Sequence, residues 1–182
     1  MTVRTPELHV YDFDGTLFNS PMPPASWRGG ESWWVDSVSL SEPCVPEVPD
    51  ASWWNGDVVS DARGSIADPN VLAVLCTGRS VDSFARYRVP ELLAQAGLRF
   101  DHVHLKPSGD TETFKKKVIL SYLTRYPDIG AVHIYEDRLN HLAAFCRMVE
   151  GVGVPCVPHP IRRRGDECSA ARVASRWGHR IR

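Results

Sequence analysis

The sequence predicts an α/β fold, with a mainly parallel sheet flanked by helices and a short Trp/Pro-rich insertion after the first strand. Three observations carry this reading. Short apolar runs alternate with helical stretches from residue 71 onward. One of these runs, Val71-Leu72-Ala73-Val74-Leu75-Cys76, is unbroken, as a strand covered on both faces requires. Residues 18–70 interrupt the alternation; six of the 14 prolines fall between Pro21 and Pro49, and five of the six tryptophans between Trp27 and Trp54.

In chain order, Leu8 to Phe13 is the first strand, stopped at Asp14-Gly15 because glycine accepts the positive φ of a turn. Prolines from Pro21 to Pro49 forbid long helices and central strands, while the tryptophans need a surface to pack on. Residues 18–70 therefore read as an ordered, irregular, cap-like insertion. After the strand ending at Cys76, a helical stretch starts at Ser80, restarts at Pro90 and closes at Gly97. His102 to Leu105 is a strand ended by Lys106-Pro107, and Asp110 is the N-cap of a helix reaching about Tyr126. Ala131 to Tyr135, Leu139 to Glu150 and Val152 to Val157 follow as strand, helix and strand. The chain divides into a domain over residues 1–158, containing the insertion, and an arginine-rich tail over 159–182.

With 182 residues, 43% hydrophobic and 24% charged, the composition fits one globular domain and excludes a disordered or fibrous chain. No apolar run approaches the ~20 residues that cross a bilayer, and no basic-then-apolar leader opens the sequence. The expectation is a cytoplasmic protein that meets no membrane. Five scattered cysteines without a C-x-x-C pair read as reduced thiols, neither a disulfide framework nor a zinc knuckle. The net charge of −1 conceals +5 in residues 159–182.

Ligands of parallel α/β sheets collect beyond the carboxyl ends of the strands. Those ends read Asp12-Phe13-Asp14-Gly15-Thr16, Thr77-Gly78-Arg79, Lys106-Pro107 and Glu136-Asp137-Arg138. Paired carboxylates, a hydroxyl and an ammonium are the parts of metal-assisted phosphoryl transfer. Asp12 can attack phosphorus, and Asp14 can protonate the leaving alcohol and later deprotonate a water. An attacking carboxylate repels a phosphate dianion by ~4 kcal/mol per unit-charge pair at 4 Å under an effective dielectric near 20. A cation is needed, and Mg2+ suits carboxylate and phosphate oxygens. Each motif alone has a plainer reading: an Asx-capped turn, a helix N-cap at Thr77, an acidic turn opening the next helix at Glu136-Asp137.

Two lysines compete for the phosphate. Lys115 falls in the middle of the apolar stripe formed by Phe114, Val118, Ile119 and Tyr122 at about 100° per residue, a costly place without an acidic partner. Lys106 stands at a strand end and is the second choice. Gly15, Gly78, Arg79, Arg138 and His141, the last a helical turn after Asp137, are candidate substrate contacts. His102 and His104 read as structural. The pairs Trp33-Trp34 and Trp53-Trp54 either stack on nucleic-acid bases or fasten the insertion to the sheet, and packing is preferred. The arginine-rich tail either meets phosphates or is a solubilising terminus.

Y-D-F-D-G-T-L-F, L-C-T-G-R, the later lysine and Y-E-D-R resemble, in order and spacing, the four motifs of the haloacid dehalogenase (HAD) phosphohydrolase superfamily. T-G-R, H-L-K-P, T-x-x-F-K and E-D-R-x-x-H are similar to a narrower group, the HAD domain of Swiss-army-knife RNA repair proteins, over roughly residues 8 to 150. The resemblance implies a Rossmann-like HAD fold, with Mg2+ held by Asp12, the backbone carbonyl of Asp14 and Asp137, and Glu136 as the adjacent candidate. It implies a Mg2+-dependent phosphomonoesterase that acts through an aspartyl-phosphate, with terminal phosphates of RNA or DNA as the suggested substrate. The alternatives are a phosphatase of a small metabolite or nucleotide, and a noncatalytic RNA-binding or regulatory module. A binding module needs no set of Asp12, Asp14, Thr77, a lysine and Asp137, which favours an enzyme.

Overall fold

The computed structural model describes residues 5–163. Five strands, β1 (Glu7–Tyr11), β2 (Val71–Ser80), β3 (His102–Lys106), β4 (Ala131–Glu136) and β5 (Cys156–Pro160), form one sheet in the order β3-β2-β1-β4-β5. Every pairing is parallel. The connections carry α1 (Gly56–Ala67), α2 (Ala85–Gln95), α3 (Thr111–Arg125) and α4 (Leu139–Gly151). The chain steps from β1 to β2 and β3, then returns to the other side of β1 for β4 and β5. That reversal makes the carboxyl ends of β1 and β4 a topological switch point, where loops diverge and leave a crevice.

Side-chain alternation divides the core. Tyr11, Leu75 and Tyr135 join Val58, Ala62, Val89 and Leu92 on the face covered by α1 and α2. Leu8, Val10, Val74 and Ile134 join Val118, Ile119, Leu142 and Phe145 on the face of α3 and α4. On the first face, toward β5, the sheet carries a ladder of rings: His9 stacks on His133 at 4.2 Å and Tyr135 on His159 at 4.0 Å. Desolvation leads the causes that lower the pKa of His9, His133 and His159.

Several sequence expectations need correction. The insertion is irregular only in its first part, where 3-10 turns span Gly30–Trp34, Ser37–Leu40 and Ala51–Trp53. The proline-free stretch after Pro49 folds as α1, a 12-residue helix hidden by the composition of the segment as a whole. β2 continues through Thr77-Gly78-Arg79 to Ser80, with a register shift against β3, so Thr77 is no helix cap and Ser80 opens no helix. α2 runs unbroken past Pro90 instead of restarting there. The last strand begins at Cys156, four residues late, because residues 152–155 complete the turn that Gly153 makes at φ +85°. Cys76, Cys146 and Cys156 are free, but Cys44 is disulfide-bonded, a proximity that sequence spacing cannot report. β5 extends to Pro160, and residues 164–182, most of the arginine-rich segment, lie outside the described residues. No helix among the described residues is long and apolar enough to cross a membrane.

The tryptophans divide by role. Trp33 is fully buried with Val38 and Cys44, its indole N–H donating to the Pro21 carbonyl at 3.1 Å, so it is not available to stack on a base. Trp53 and Trp54 pack on Phe18, with centroids at 5.8 and 4.9 Å. Trp34 is half-buried, with the guanidinium carbons of Arg79 and Arg163 5.0 and 5.3 Å from its ring. Trp33→Ala is therefore expected to cost about 3–5 kcal/mol in urea unfolding, and Trp34→Ala markedly less, because only the first empties a closed core.

A candidate active site at the strand ends

β1 stops where Asp12 N–H donates to the Tyr135 carbonyl at 3.0 Å, the last bond tying it to β4. The next residues fold into a tight loop, in which Phe18 N–H donates to Phe13 O and Gly15 N–H to Phe18 O. This loop turns both aspartates inward. Gly15, at φ +76°, lies so close to Asp137 Oδ2 and Arg163 that any Cβ would collide with them.

Asp12 and Glu136, at neighbouring strand ends, are both bound by one buried ammonium. Lys115 Nζ lies 2.6 Å from Asp12 Oδ1 and 2.7 Å from Glu136 Oε2. The lysine sits in the first turns of α3, whose start is fixed by Asp110 accepting from Thr113 N–H at 2.8 Å. Lys106 is not in this cluster; its Nζ bonds Thr111 Oγ1 at 3.2 Å. Asp12, Glu136 and Asp137 each present a carboxylate oxygen within 4.8 Å of the others. Arg138 adds an ion pair to Glu136 Oε1 at 3.3 Å, and Arg163 one to Asp137 Oδ2 at 3.0 Å.

The electrostatics follow from this unequal pairing. Burial, then the charge of Glu136, pushes the Asp12 and Asp137 carboxyls up. Burial acts on Glu136 in the same sense, but Lys115 and Arg138 overcome it and hold that carboxyl low. Desolvation opposes the Lys115 ammonium, yet Asp12 and Glu136 raise its pKa above the usual lysine value. Three convergent carboxylates, two of them short of positive charge, are an all-oxygen donor set of the kind a hard dication takes. The residues present fit Mg2+.

Asp14 belongs to an adjoining network. Arg79, itself buried, places Nε 3.0 Å from both Asp14 oxygens and Nη2 2.7 Å from Oδ1. Ser20 Oγ donates to Oδ1 at 2.6 Å, and Thr77 Oγ1 lies 3.5 Å from Oδ2. Burial alone would raise the Asp14 carboxyl, but Arg79 holds it below the ordinary aspartate value. The remaining Arg79 nitrogen, Nη1, reaches the insertion, donating to Trp34 O at 3.0 Å and Ser39 Oγ at 2.5 Å. Gly78 packs against Thr111, where a Cβ would come within 2.9 Å of Cγ2. His141, in the first turn of α4, rests edge-on against Phe145, and its buried Nδ1 has no hydrogen-bond partner among the described residues.

Ser20, Ser39 and Arg163 enter this site without having been singled out in the sequence, whereas Trp34 belongs to a pair already weighed there for stacking or packing. Nothing in the local pattern marks the two serines. Arg163 was masked by its neighbours, since a run of arginines reads as a solvated terminus.

A family model described as "HAD domain family 1 in Swiss Army Knife RNA repair proteins" matches residues 6–154. The protein YMR265C of Saccharomyces cerevisiae, uncharacterized by its own description, is 27% identical over 177 aligned residues, covering 82% of this chain and 38% of the yeast protein. The chain thus spans about two-fifths of that relative's length.

The Arg79–Asp14 pair gives a test with a defined sign. Asp14 has a depressed carboxyl in the fold, so its pairing stabilises above the unfolded value near 3.8 and is lost as pH falls below it. Arg79→Met leaves the carboxylate buried and unpaired and is expected to cost about 3–5 kcal/mol at pH 7. Denaturant titrations at pH 7 and pH 3 should show that deficit shrinking in acid, where Asp14 protonates.

Proposed function

The chain belongs to HAD domain family 1 of the Swiss Army Knife RNA repair proteins, and from that membership and the site we propose a Mg2+-dependent phosphomonoesterase acting on terminal phosphates of RNA or DNA. The observation that carries the reading is the convergence of Asp12, Glu136 and Asp137 around Lys115 at the switch point of the sheet. Such an arrangement provides a nucleophile, a place for a dication and a fixed ammonium within one crevice.

In this reading Asp12, Asp137, the Asp14 carbonyl and the neighbouring Glu136 hold Mg2+, which supplies charge to offset the phosphate oxygens and orients the phosphoryl group. An Asp12 carboxylate oxygen forms a bond to phosphorus as the bond to the leaving oxygen breaks, and that oxygen departs with the electron pair. The product is an aspartyl-phosphate. Water then attacks phosphorus, the acyl-phosphate P–O bond breaks, and Asp12 returns as a carboxylate with inorganic phosphate released. Asp14 takes the proton of that water, a role suited to a carboxyl that Arg79 keeps ionised. For Asp14 to protonate the leaving oxygen in the first half, it must leave its pairing with Arg79. Lys115 holds Asp12 in line and remains positive throughout. Thr77 and the nearby backbone N–H groups, with Gly15 and Gly78 permitting close approach, receive the phosphate oxygens.

The nucleic-acid preference is supported by the family description and by Trp34, half-buried and in contact with the guanidiniums of Arg79 and Arg163, which themselves bind Asp14 and Asp137. Residues 18–70 serve as the cap-like insertion, joined to the catalytic residues through Arg79. Arg138, paired with Glu136, and His141, in the first turn of α4, are proposed as substrate contacts.

Phosphate release is the assay. With magnesium, the protein is expected to dephosphorylate 3′- or 5′-phosphorylated oligonucleotides faster than mononucleotides or sugar phosphates. Asp12→Asn, folded by circular dichroism, and exhaustive chelation are each expected to reduce release to background. Undiminished turnover in either condition overturns the phosphatase mechanism, whereas preference for the small esters redirects only the substrate. Oligonucleotide binding should weaken as salt rises, because phosphates neutralised by arginines release counterions, and Trp34→Ala should weaken it by ~1–3 kcal/mol if a base stacks there.

A further inference from the structure

We propose that Glu7, His9 and His133 form a second metal site, taking a transition-metal dication of the zinc class rather than magnesium. His9 and His133 are register partners on β1 and β4, and Glu7 lies two residues before His9 on the same face of the sheet. The two Nε2 atoms stand 3.2 and 3.6 Å from Glu7 Oε2. One ligand atom from each residue lies within 4.8 Å of the other two. None of the three belongs to the Asp12 cluster, so this site does not depend on the phosphatase reading.

The surrounding hydrogen bonds decide which atoms can accept a metal. With the one Ser65 hydroxyl proton donated to the Asp61 carbonyl at 3.0 Å, His9 Nδ1 and Tyr11 Oη, each 2.7 Å from Ser65 Oγ, are the donors to it. His9 Nε2 then keeps a lone pair. On the other ring, His133 Nδ1 lies 3.0 Å from His159 Nε2; with Nδ1 donating, His133 Nε2 keeps the second lone pair. In these tautomers two imidazole lone pairs and a carboxylate oxygen face one another across the β1–β4 pairing. Ser65 and His159 supply the outer hydrogen bonds that fix the tautomers of metal-binding histidines.

The donor set selects the metal class. Imidazole nitrogens suit zinc, copper and nickel, whereas magnesium prefers oxygen alone. Two nitrogens and one oxygen leave a fourth tetrahedral position open. The three side chains are 12–24% exposed, so that position can be reached by water or a small ligand. A metal there would bridge the same two strands that carry Asp12 and Glu136 at their other ends.

The test uses the full chain in excess magnesium, which occupies the all-oxygen site, with Co2+ added as a visible reporter and then displaced by Zn2+. One equivalent of Co2+ is expected to give an absorption band that Zn2+ removes. Affinity is expected to fall at least tenfold in His9→Asn, His133→Asn and Glu7→Gln, and about 10-fold to 100-fold in Ser65→Ala. His102→Asn, on β3, should bind as the unaltered chain does. Glu7→Gln, nearly isosteric and partly exposed, keeps the test decisive where a histidine variant fails to fold. Binding that is absent in the unaltered chain, or unchanged in all three ligand variants, overturns the proposal.

Discussion

One buried ammonium organises this molecule. Lys115, from the start of α3, binds Asp12 at the end of β1 and Glu136 at the end of β4, so three segments far apart in sequence meet at a single charge. A lysine buried in the apolar interface between a helix and a sheet is costly unless acids meet it, and acids buried between strands are costly unless a base meets them. Neither half is tolerable alone. The packing of α3 on the sheet and the chemistry of the strand ends are therefore one constraint. It also explains why the apolar stripe of α3 carries a lysine at its centre: the stripe faces the core over most of its length and the carboxylates at its start.

A second constraint ties the insertion to that centre. Arg79 uses one edge of its guanidinium on Asp14 and its other nitrogen on Trp34 O and Ser39 Oγ. The chain from residue 21 to 49 has little regular structure, yet it is tied to the sheet and α2 by this arginine and by Arg88, which donates to the carbonyls of Leu40, Pro46 and Glu47. Two arginines thus do for a proline-rich segment what a ladder of backbone bonds does for a strand. Displacing the insertion would unpair Arg79 and, with it, alter the charge next to Asp14.

Much of this was legible in the sequence because it depends on local periodicity. The apolar runs gave five strands of a mainly parallel sheet, the Asp110 cap gave the start of α3, and the helical angle placed Lys115 on the buried stripe as first choice, ahead of Lys106, which instead bonds Thr111. What escaped was set by tertiary contact. α1 was hidden because prolines upstream colour the whole segment, although the stretch from residue 50 to 68 has none. Thr77-Gly78-Arg79 remains strand because Thr77 and Ser80 both pair with β3, on either side of a register shift, against the helix N-cap read at Thr77. Arg163 sits among arginines that read as a solvated run, and only the return of the chain after β5 brings it to Asp137. His9 and His133 lie 124 positions apart in the numbering, so the pairing of β1 with β4 alone makes them neighbours.

The balance of charge at the site explains where a dication and a phosphate belong. Four acids, Asp12, Asp14, Glu136 and Asp137, meet four bases, Arg79, Lys115, Arg138 and Arg163, yet the pairs are unequal. Asp14 has a guanidinium almost to itself, and Glu136 draws on both Lys115 and Arg138. Asp12 must share Lys115, and Asp137 has Arg163 alone. These last two are the carboxyls that resist ionisation, with Glu136 adding to their burden. The shortage of positive charge lies between Asp12 and Asp137, where the oxygens converge. A dication held there would favour the ionised form of Asp12, the nucleophile of the proposed reaction, and its two charges would match those a phosphate dianion brings. Without it, the dianion would enter a site whose bases are already committed to its acids, and the repulsion of Asp12 would go unopposed.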